Sequence, residues 1–329
     1  MVTEGSPLMS VVLVTPDRFE TIRVTVHHLL RQSIRQRLEL VIVAPSLSEL
    51  DLRESDVEGF RWHRLVEVGP FASSAMARAE GIRAAAAPLV ALTEDHCFPE
   101  PRWAEALARA HEGPWAVVGP AIGNANPATK TSWANLLVEY AQWLAPAVSG
   151  EVEHLPGHNS CYKRSVLVGY GSELETLLLA ESTLHWDLRT KGERLYLESA
   201  AQANHLNYSL PFSWLGMRFQ GGRMFAATRA RRWPLWRRWL YVIGGPLIPL
   251  VRLRRIMREM GRPGRPRWVL PGVLPLLIVG LAVDALGEMF GYALGPGKAA
   301  QELLRFEFHR SRFLTEADLS ALAQQIGAG

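Results

Sequence analysis

The sequence predicts an α/β fold, in which a mixed, mostly parallel sheet carries helices on both faces and a helical, basic and apolar C-terminal region follows. Three observations predict it. Short apolar runs alternate with segments whose apolar residues recur at helical spacing through the first 120 residues. Those runs lack polar alternation, which is typical of strands buried on both faces. Beyond residue 225, arginines and two longer apolar runs dominate the composition.

The elements of the N-terminal part follow one another in a regular order. Strands are predicted at residues 11–14, 38–43, 89–93 and 115–119, and helices at residues 21–31, 75–86 and 103–111. Ligands of such sheets bind beyond the carboxyl ends of the strands. Functional side chains are therefore expected in the segments that directly follow each strand.

Length and composition limit the possible classes of protein. A chain of 329 residues predicts about two folding units, and 48% hydrophobic residues exclude general disorder. With 36 basic and 32 acidic residues, the net charge of +4 is too balanced for a dedicated nucleic-acid-binding protein. Two cysteines cannot form a disulfide framework, and the first residues lack a signal-peptide pattern, so the N-terminal part is expected in the cytosol.

The region after residue 225 has the features of a membrane-associated segment. Its two apolar runs, residues 239–251 and 268–283, are shorter than the roughly 20 residues that span a bilayer as a helix. The first run reads as interfacial or re-entrant and the second as a marginal span, although both could be core helices of a soluble domain. Neighbouring arginines and tryptophans favour anionic membrane lipids, on the cytoplasmic side. We therefore predict two domains, 1–225 and 226–329.

An acidic and imidazole cluster follows the third predicted strand. Glu94, Asp95 and His96 are three potential ligands of a divalent cation that carries phosphates. The alternative is a solvated acidic turn before a helix, because carboxylates favour helix N-termini.

Several stretches resemble the family 2 glycosyltransferases of the GT-A fold, in their bacterial, membrane-associated form. They are SVVLVTPDR, LELVIV, SSAMARAEGIRAAAAPLVALTEDHCFPEPRWAEAL, GHNSCYKRSVL and ESTLHWDLRTKGERLYLESAAQANH, which cover most of residues 8–220. The resemblance implies that Glu94-Asp95-His96 occupies the Asp-x-Asp element, which binds a metal ion and a nucleotide diphosphate. It also implies that His205 completes this site. The cofactor expected is a divalent cation, Mn²⁺ or Mg²⁺; His96 suits Mn²⁺, whereas Mg²⁺ prefers oxygen ligands.

The same resemblance assigns the donor-side residues. Arg78 would lie near the pyrophosphate or the base, although it could instead be an exposed ion-pair partner of Glu80. Asp17 is a candidate for nucleotide contact or for a helix cap. Arg218 and Arg223 would neutralise the diphosphate or else face lipid. Ala44-Pro45-Ser46 stands where the family carries a base-reading acid, which leaves the base open.

The acceptor side is assigned in the same way. Gly157, His158 and Asn159 would form the acceptor-side loop, and Glu181 would be the general base on the acceptor hydroxyl. The family's next acid is Ser182 here, so Glu181 would act alone, with Asp187 and Glu175 as alternatives.

The function implied is transfer of a sugar from a nucleotide-diphosphate donor to a lipid-linked or envelope polysaccharide acceptor, with inversion. It would take place on the cytoplasmic face of the cell membrane. The alternative, from another class of protein, is a non-catalytic scaffold that binds nucleotide sugars or lipids. Cys97 and Cys161 lack zinc-ligand spacing and are expected to be buried.

Overall fold

The computed structural model describes residues 5–327, which pack as two compact units. Unit 1 comprises the chain up to Gly123 together with Ala147–Asn204, and unit 2 comprises Asn124–Pro146 and His205–Gly327. The separation of a catalytic domain, 1–225, from a membrane region, 226–329, stays a prediction.

A mixed sheet organises the first unit. In the described part of the chain it has nine strands: β1 (Met9–Val14), β2 (Leu38–Ala44), β3 (Trp62–Glu67), β4 (Leu89–Thr93), β5 (Cys97–Pro99), β6 (Val117–Asn124), β7 (Gly150–Val152), β8 (Cys161–Lys163) and β9 (Leu195–His205). Their order is β3-β2-β1-β4-β8-β6-β9-β5, with β7 paired to β9. The predicted α/β class is confirmed.

The N-terminal half of the sheet is parallel, as predicted. Strand β1 lies between β2 and β4, with Val12 opposite both Val41 and Leu92. Strand β8 then pairs antiparallel with both β4 and β6, so the sheet becomes mixed beyond β4. The predicted strands at β1, β2, β4 and β6 are confirmed. These strands are buried along their whole length, except at the C-terminal end of β6, which explains why their sequences are apolar.

Seven α-helices precede β9 among the described residues, and all but the fourth belong to the unit that contains this sheet. They are α1 (Arg23–Leu30), α2 (Ser74–Ala84), α3 (Trp103–Ala110), α4 (Lys130–Tyr140, which belongs to unit 2), α5 (Arg164–Val168), α6 (Glu173–Leu178) and α7 (Glu181–Thr190). Helix α2 packs against β1 and β2, and Gly81 of α2 leaves no room for a Cβ beside Val12 and Val43. The hydroxyl of Ser73 caps α2 by accepting a hydrogen bond from the Met76 amide.

Unit 2 is helical in its C-terminal part. Its helices are α8 (Leu215–Arg229), α9 (Leu235–Gly244), α10 (Ile248–Met260), α11 (Leu270–Leu294), α12 (Ala299–Glu307) and α13 (Glu316–Gly327). The first apolar run is divided by Gly244-Gly245-Pro246 into α9, a turn at Gly245–Leu247 and the start of α10. The second run extends beyond residue 283 as α11. The segment 267–294 is long and apolar enough to cross a membrane by length and composition.

Glycines bring α8 and α11 together at backbone distance. A Cβ on Gly222 would meet the Asp284 carbonyl, and a Cβ on Gly287 would meet the Phe219 carbonyl. Gly291 packs against the Arg223 carbonyl in the same way, whereas Gly295 ends the helix with φ +76°.

The two acids of α11 lie inside unit 2. Asp284 and Glu288 are buried, and the Arg252 guanidinium of α10 pairs with both carboxylates. Carboxylates inside an apolar bundle are tolerated when such a partner neutralises them.

Candidate active site

The predicted cluster lies where β4 ends. Glu94, Asp95 and His96 follow Thr93 directly, at the carboxyl edge of the parallel strands. The Thr25 hydroxyl of α1 donates to the carbonyls of Glu94 and Asp95, at 3.2 and 2.9 Å. This contact fixes the loop backbone, and Asp95 and His96 are buried. The alternative of a solvated acidic turn is therefore wrong.

His96 has one nitrogen directed to a carboxylate and the other to the cluster. Its Nδ1 lies 2.6 Å from Oδ1 of Asp95, and its Nε2 lies 3.7 Å from Oε1 of Glu94. A carboxylate at Nδ1 favours a proton there and leaves the Nε2 lone pair for a cation. Asp95 thus supports His96 and is outside the group of converging ligand atoms.

Glu94, His96 and His205 form a group that fits a metal ion. One ligand atom of each lies within 4.8 Å of the others. His205 is the last residue of β9, so the sheet positions it. Its Nδ1 contacts Oδ1 of Asn207 at 2.8 Å, which again leaves Nε2 for the ion. Two imidazoles and one carboxylate suit Mn²⁺ better than Mg²⁺.

The turn Gly157–Asn159 reaches the same cluster. Nδ2 of Asn159 donates to Oε2 of Glu94 at 2.7 Å, and the Glu94 amide donates to Oδ1 of Asn159 at 3.4 Å. Asn159 is buried and orients the Glu94 carboxylate. The sequence predicted Asn159 as an acceptor-side residue, and in the structure its side chain contacts the Glu94 carboxylate.

The neighbouring residue of that turn contacts the predicted base. Nδ1 of His158 lies 2.7 Å from Oε1 of Glu181, at the start of α7. Gly157 is required here, because a Cβ would come within 2.2 Å of the Glu181 Cβ. The absence of a side chain at Gly157 therefore lets the backbone of the turn pack directly against the Glu181 side chain.

Arg78 completes a buried charged group with Glu181. The guanidinium Nη1 lies 3.5 Å from Oε1 of Glu181, and both side chains are buried. The alternative of Arg78 as an exposed partner of Glu80 is wrong, since Glu80 pairs with Arg83. Burial tends to raise the pKa of Glu181, but His158 and Arg78 hold that pKa below its usual value. Glu181 is therefore ionised.

The same charges act on His158. Burial lowers the pKa of its imidazole, but the Glu181 carboxylate more than offsets this effect and raises the pKa to about 9. At neutral pH, His158 is an imidazolium that bridges the turn to Glu181.

A hydrogen-bonded chain supports the turn from behind. The Tyr162 hydroxyl donates to the Gly157 carbonyl at 3.2 Å and lies 3.0 Å from Nε2 of His185. His185 lies one helical turn after Glu181, and burial lowers its pKa to about 3, so it is neutral and can donate from Nε2. Helix α7 thus supports the turn Gly157–Asn159 in two ways. Glu181 pairs with His158, and His185 hydrogen-bonds to Tyr162, which in turn binds the Gly157 carbonyl. Four residues that support the site could not be predicted from the sequence, because they belong to no recognisable motif: Thr25, Tyr162, His185 and Asn207.

Three further predicted residues have local partners. Asp17 accepts hydrogen bonds from the Arg18 amide and the Thr21 hydroxyl, just before the start of α1. Arg218 is buried and paired with Glu139 inside unit 2. Arg223 donates to the Gly295 carbonyl at 3.0 Å, beyond the end of α11. Their contact with a donor remains a prediction. Cys97 and Cys161 are buried, as expected.

Comparison with known proteins gives weak similarity. No protein-family model and no curated protein matches the sequence. The chain is similar to a crystal structure of S. aureus TarS 1-349 in complex with UDP, with 13% identity and a TM-score of 0.44 over 87% of this chain and 90% of that one. A second crystal structure of S. aureus TarS 1-349 gives 11% identity and a TM-score of 0.46 over 91% of each chain.

Proposed function

We propose that this chain is a glycosyltransferase that moves a sugar from a nucleotide-diphosphate donor to a hydroxyl of a lipid-linked or envelope polysaccharide acceptor. One observation carries the proposal: a single turn contacts a metal-type cluster through Asn159 and a buried carboxylate through His158. Sugar transfer needs these two functions side by side, one for the leaving diphosphate and one for the acceptor proton.

The cluster at β4 supports the donor side. A divalent cation held by Glu94, His96 and His205 would supply positive charge to the leaving diphosphate when bound. Asp95, Asn159 and Asn207 orient the three ligand side chains through the contacts described above.

Glu181 supports the acceptor side. An ionised carboxylate can accept the proton of the acceptor hydroxyl while that oxygen attacks the anomeric carbon. Arg78 and His158 keep Glu181 ionised and hold its orientation. If attack comes from the side opposite the diphosphate, the configuration inverts. The acceptor class and a position on the cytoplasmic face of the membrane are proposed with this function, from the family resemblance and the basic C-terminal region.

The proposal is tested with the full chain and a panel of nucleotide sugars. Donors that raise the melting temperature in the presence of Mn²⁺ are taken forward to an assay of nucleoside diphosphate release with and without lipid acceptors. We expect Glu181→Gln to lower turnover at least a hundredfold while donor binding persists.

Asp187→Asn is the matched control on the same helix. Asp187 accepts a hydrogen bond from the Tyr170 hydroxyl and pairs with Lys191, so this variant should keep the wild-type rate. Full activity of Glu181→Gln would contradict the assignment of the base. Donor binding without turnover across all acceptors would instead favour the non-catalytic scaffold.

A further inference from the structure

Unit 2 exposes an unusual amount of apolar surface on α9. The exposed side chains are Leu235, Trp236, Trp239, Leu240 and Ile243, and Ile243 is 77% exposed. Their spacing places them along one side of the helix. Tyr241 and Val242, on the other side, pack against Ala226, Ala230 and Tyr292 of unit 2. Helix α9 is therefore fixed to unit 2 by one face and exposes the other.

The exposed surface continues beyond α9. Leu247 in the turn Gly245–Leu247 is 61% exposed, and Leu250 and Val251 in the first turn of α10 are exposed to a similar degree. We call the exposed side of α9, this turn and the first turn of α10 the docking face. Contiguous exposed apolar surface of this kind marks an interaction site.

Arginines flank the docking face at both ends. Six exposed ones are Arg231, Arg232, Arg237, Arg254, Arg255 and Arg258. The stretch from Glu198 to Glu259 contains eleven arginines and no acid between those two residues. Indoles and aliphatic side chains beside cations match the boundary of an anionic bilayer, where apolar groups enter the acyl region and guanidinium groups meet phosphates.

We propose that the docking face lies flat on an anionic membrane surface, and that the chain does not cross the bilayer. This rests on the membrane location proposed above, but not on the sugar-transfer chemistry. The occupant of the face is thus a lipid surface with negatively charged headgroups.

The environment of α11 explains why its length does not require a span. Helix α8 runs beside α11 at backbone distance and carries Arg218 and Arg223. The acids of α11 are paired with Arg252 of α10. A crossing α11 would take these charged neighbours into the hydrocarbon, which is strongly unfavourable. We therefore assign α11 to the helical packing of unit 2, which buries the side of α11 that carries Asp284 and Glu288, while the side with Ile278 and Phe290 is exposed.

The first experiment measures sedimentation of the full chain with vesicles, without donor or acceptor. We expect binding to vesicles of phosphatidylcholine with 30% phosphatidylglycerol, and much weaker binding to phosphatidylcholine alone. Trp236→Ser/Trp239→Ser should weaken binding at least tenfold. Arg254→Gln and Arg255→Gln should each weaken it about fivefold at low salt.

Control variants show whether binding depends on the docking face itself. Phe212→Ser and Ile278→Ser/Phe290→Ser remove exposed apolar groups elsewhere and should bind as wild type does. Glu181→Gln should also bind normally, so failure of the catalytic proposal leaves this test intact. Each variant is used only if its melting temperature is unchanged. Normal binding of Trp236→Ser/Trp239→Ser, loss of binding in Ile278→Ser/Phe290→Ser, or burial of the docking face in a lipid-independent dimer would each overturn the proposal.

A second experiment tests the topology. Cys97 and Cys161 are buried, so an introduced cysteine can be read with a membrane-impermeant maleimide. Arg262→Cys and Lys298→Cys place thiols before and after α11, both at exposed positions. In sealed inside-out bacterial membrane vesicles, we expect both positions to react, and neither to react in intact cells. Labelling of the two positions from opposite sides would show a span and overturn the proposal.

Discussion

The ion pair of His158 and Glu181 predicts a pH-dependent stability. A rise of the His158 pKa from 6.5 to about 9 corresponds to about 3.4 kcal/mol. The side chain is 34% exposed, so solvent screening reduces this figure, and we expect about 1.5 kcal/mol. Because the pKa is raised on folding, this stabilisation is complete below pH 6.5. It is lost as the pH rises through 9.

His158→Gln is the variant that tests this value. We expect it to lower the free energy of unfolding by about 1.5 kcal/mol at pH 6, with the difference from wild type shrinking toward zero at pH 10. The measurement is urea unfolding followed by circular dichroism at pH 6, 7.5 and 10. His63→Gln replaces an exposed histidine of β3 and is the control for loss of an imidazole outside this ion pair. An equal gap between wild type and His158→Gln at pH 6 and pH 10 would refute the ion-pair reasoning.

Three further predictions concern contacts around the site and within unit 2. Asn159→Ala should weaken Mn²⁺ binding 10- to 100-fold in calorimetry, because Glu94 loses the side chain that orients it; unchanged affinity would contradict this role. Tyr162→Phe should lower the free energy of unfolding by about 1–2 kcal/mol, since the Gly157 carbonyl and His185 lose a partner; no change in urea unfolding would argue against the chain. Arg252→Gln should destabilise the protein by about 3–5 kcal/mol, and adding Asp284→Asn and Glu288→Gln should restore part of the loss.

The strands of the parallel half could be predicted because burial leaves a direct mark on composition. Strand β2 is buried at every position, and its sequence LELVIVA is correspondingly apolar. Strand β3, with the sequence WHRLVE, was missed because it lies at the sheet edge and is partly exposed, so it carries charges. Burial, more than intrinsic strand propensity, determined which strands could be recognised.

The candidate site could be predicted only in part. Local order along the chain places Glu94 and His96 after β4, so the cluster was visible in the sequence. The partners of Glu181 were not visible, because Arg78 precedes it by more than a hundred residues and no spacing rule links the two. The partner of Arg218 was equally hidden, because Glu139, which pairs with it inside unit 2, lies 79 residues earlier in the chain.

The membership of α4 in unit 2 limits how this protein can be shortened. Helix α4 lies early in the chain, yet it packs against α11, and Trp133 meets Trp268 edge to face. Leu136 and Leu137 of α4 are fully buried. A polypeptide ending at residue 225 would lack α11 and would expose to solvent the surface of α4 that packs against it. Anyone seeking a minimal soluble version should therefore retain the C-terminal helices and replace selected surface side chains instead.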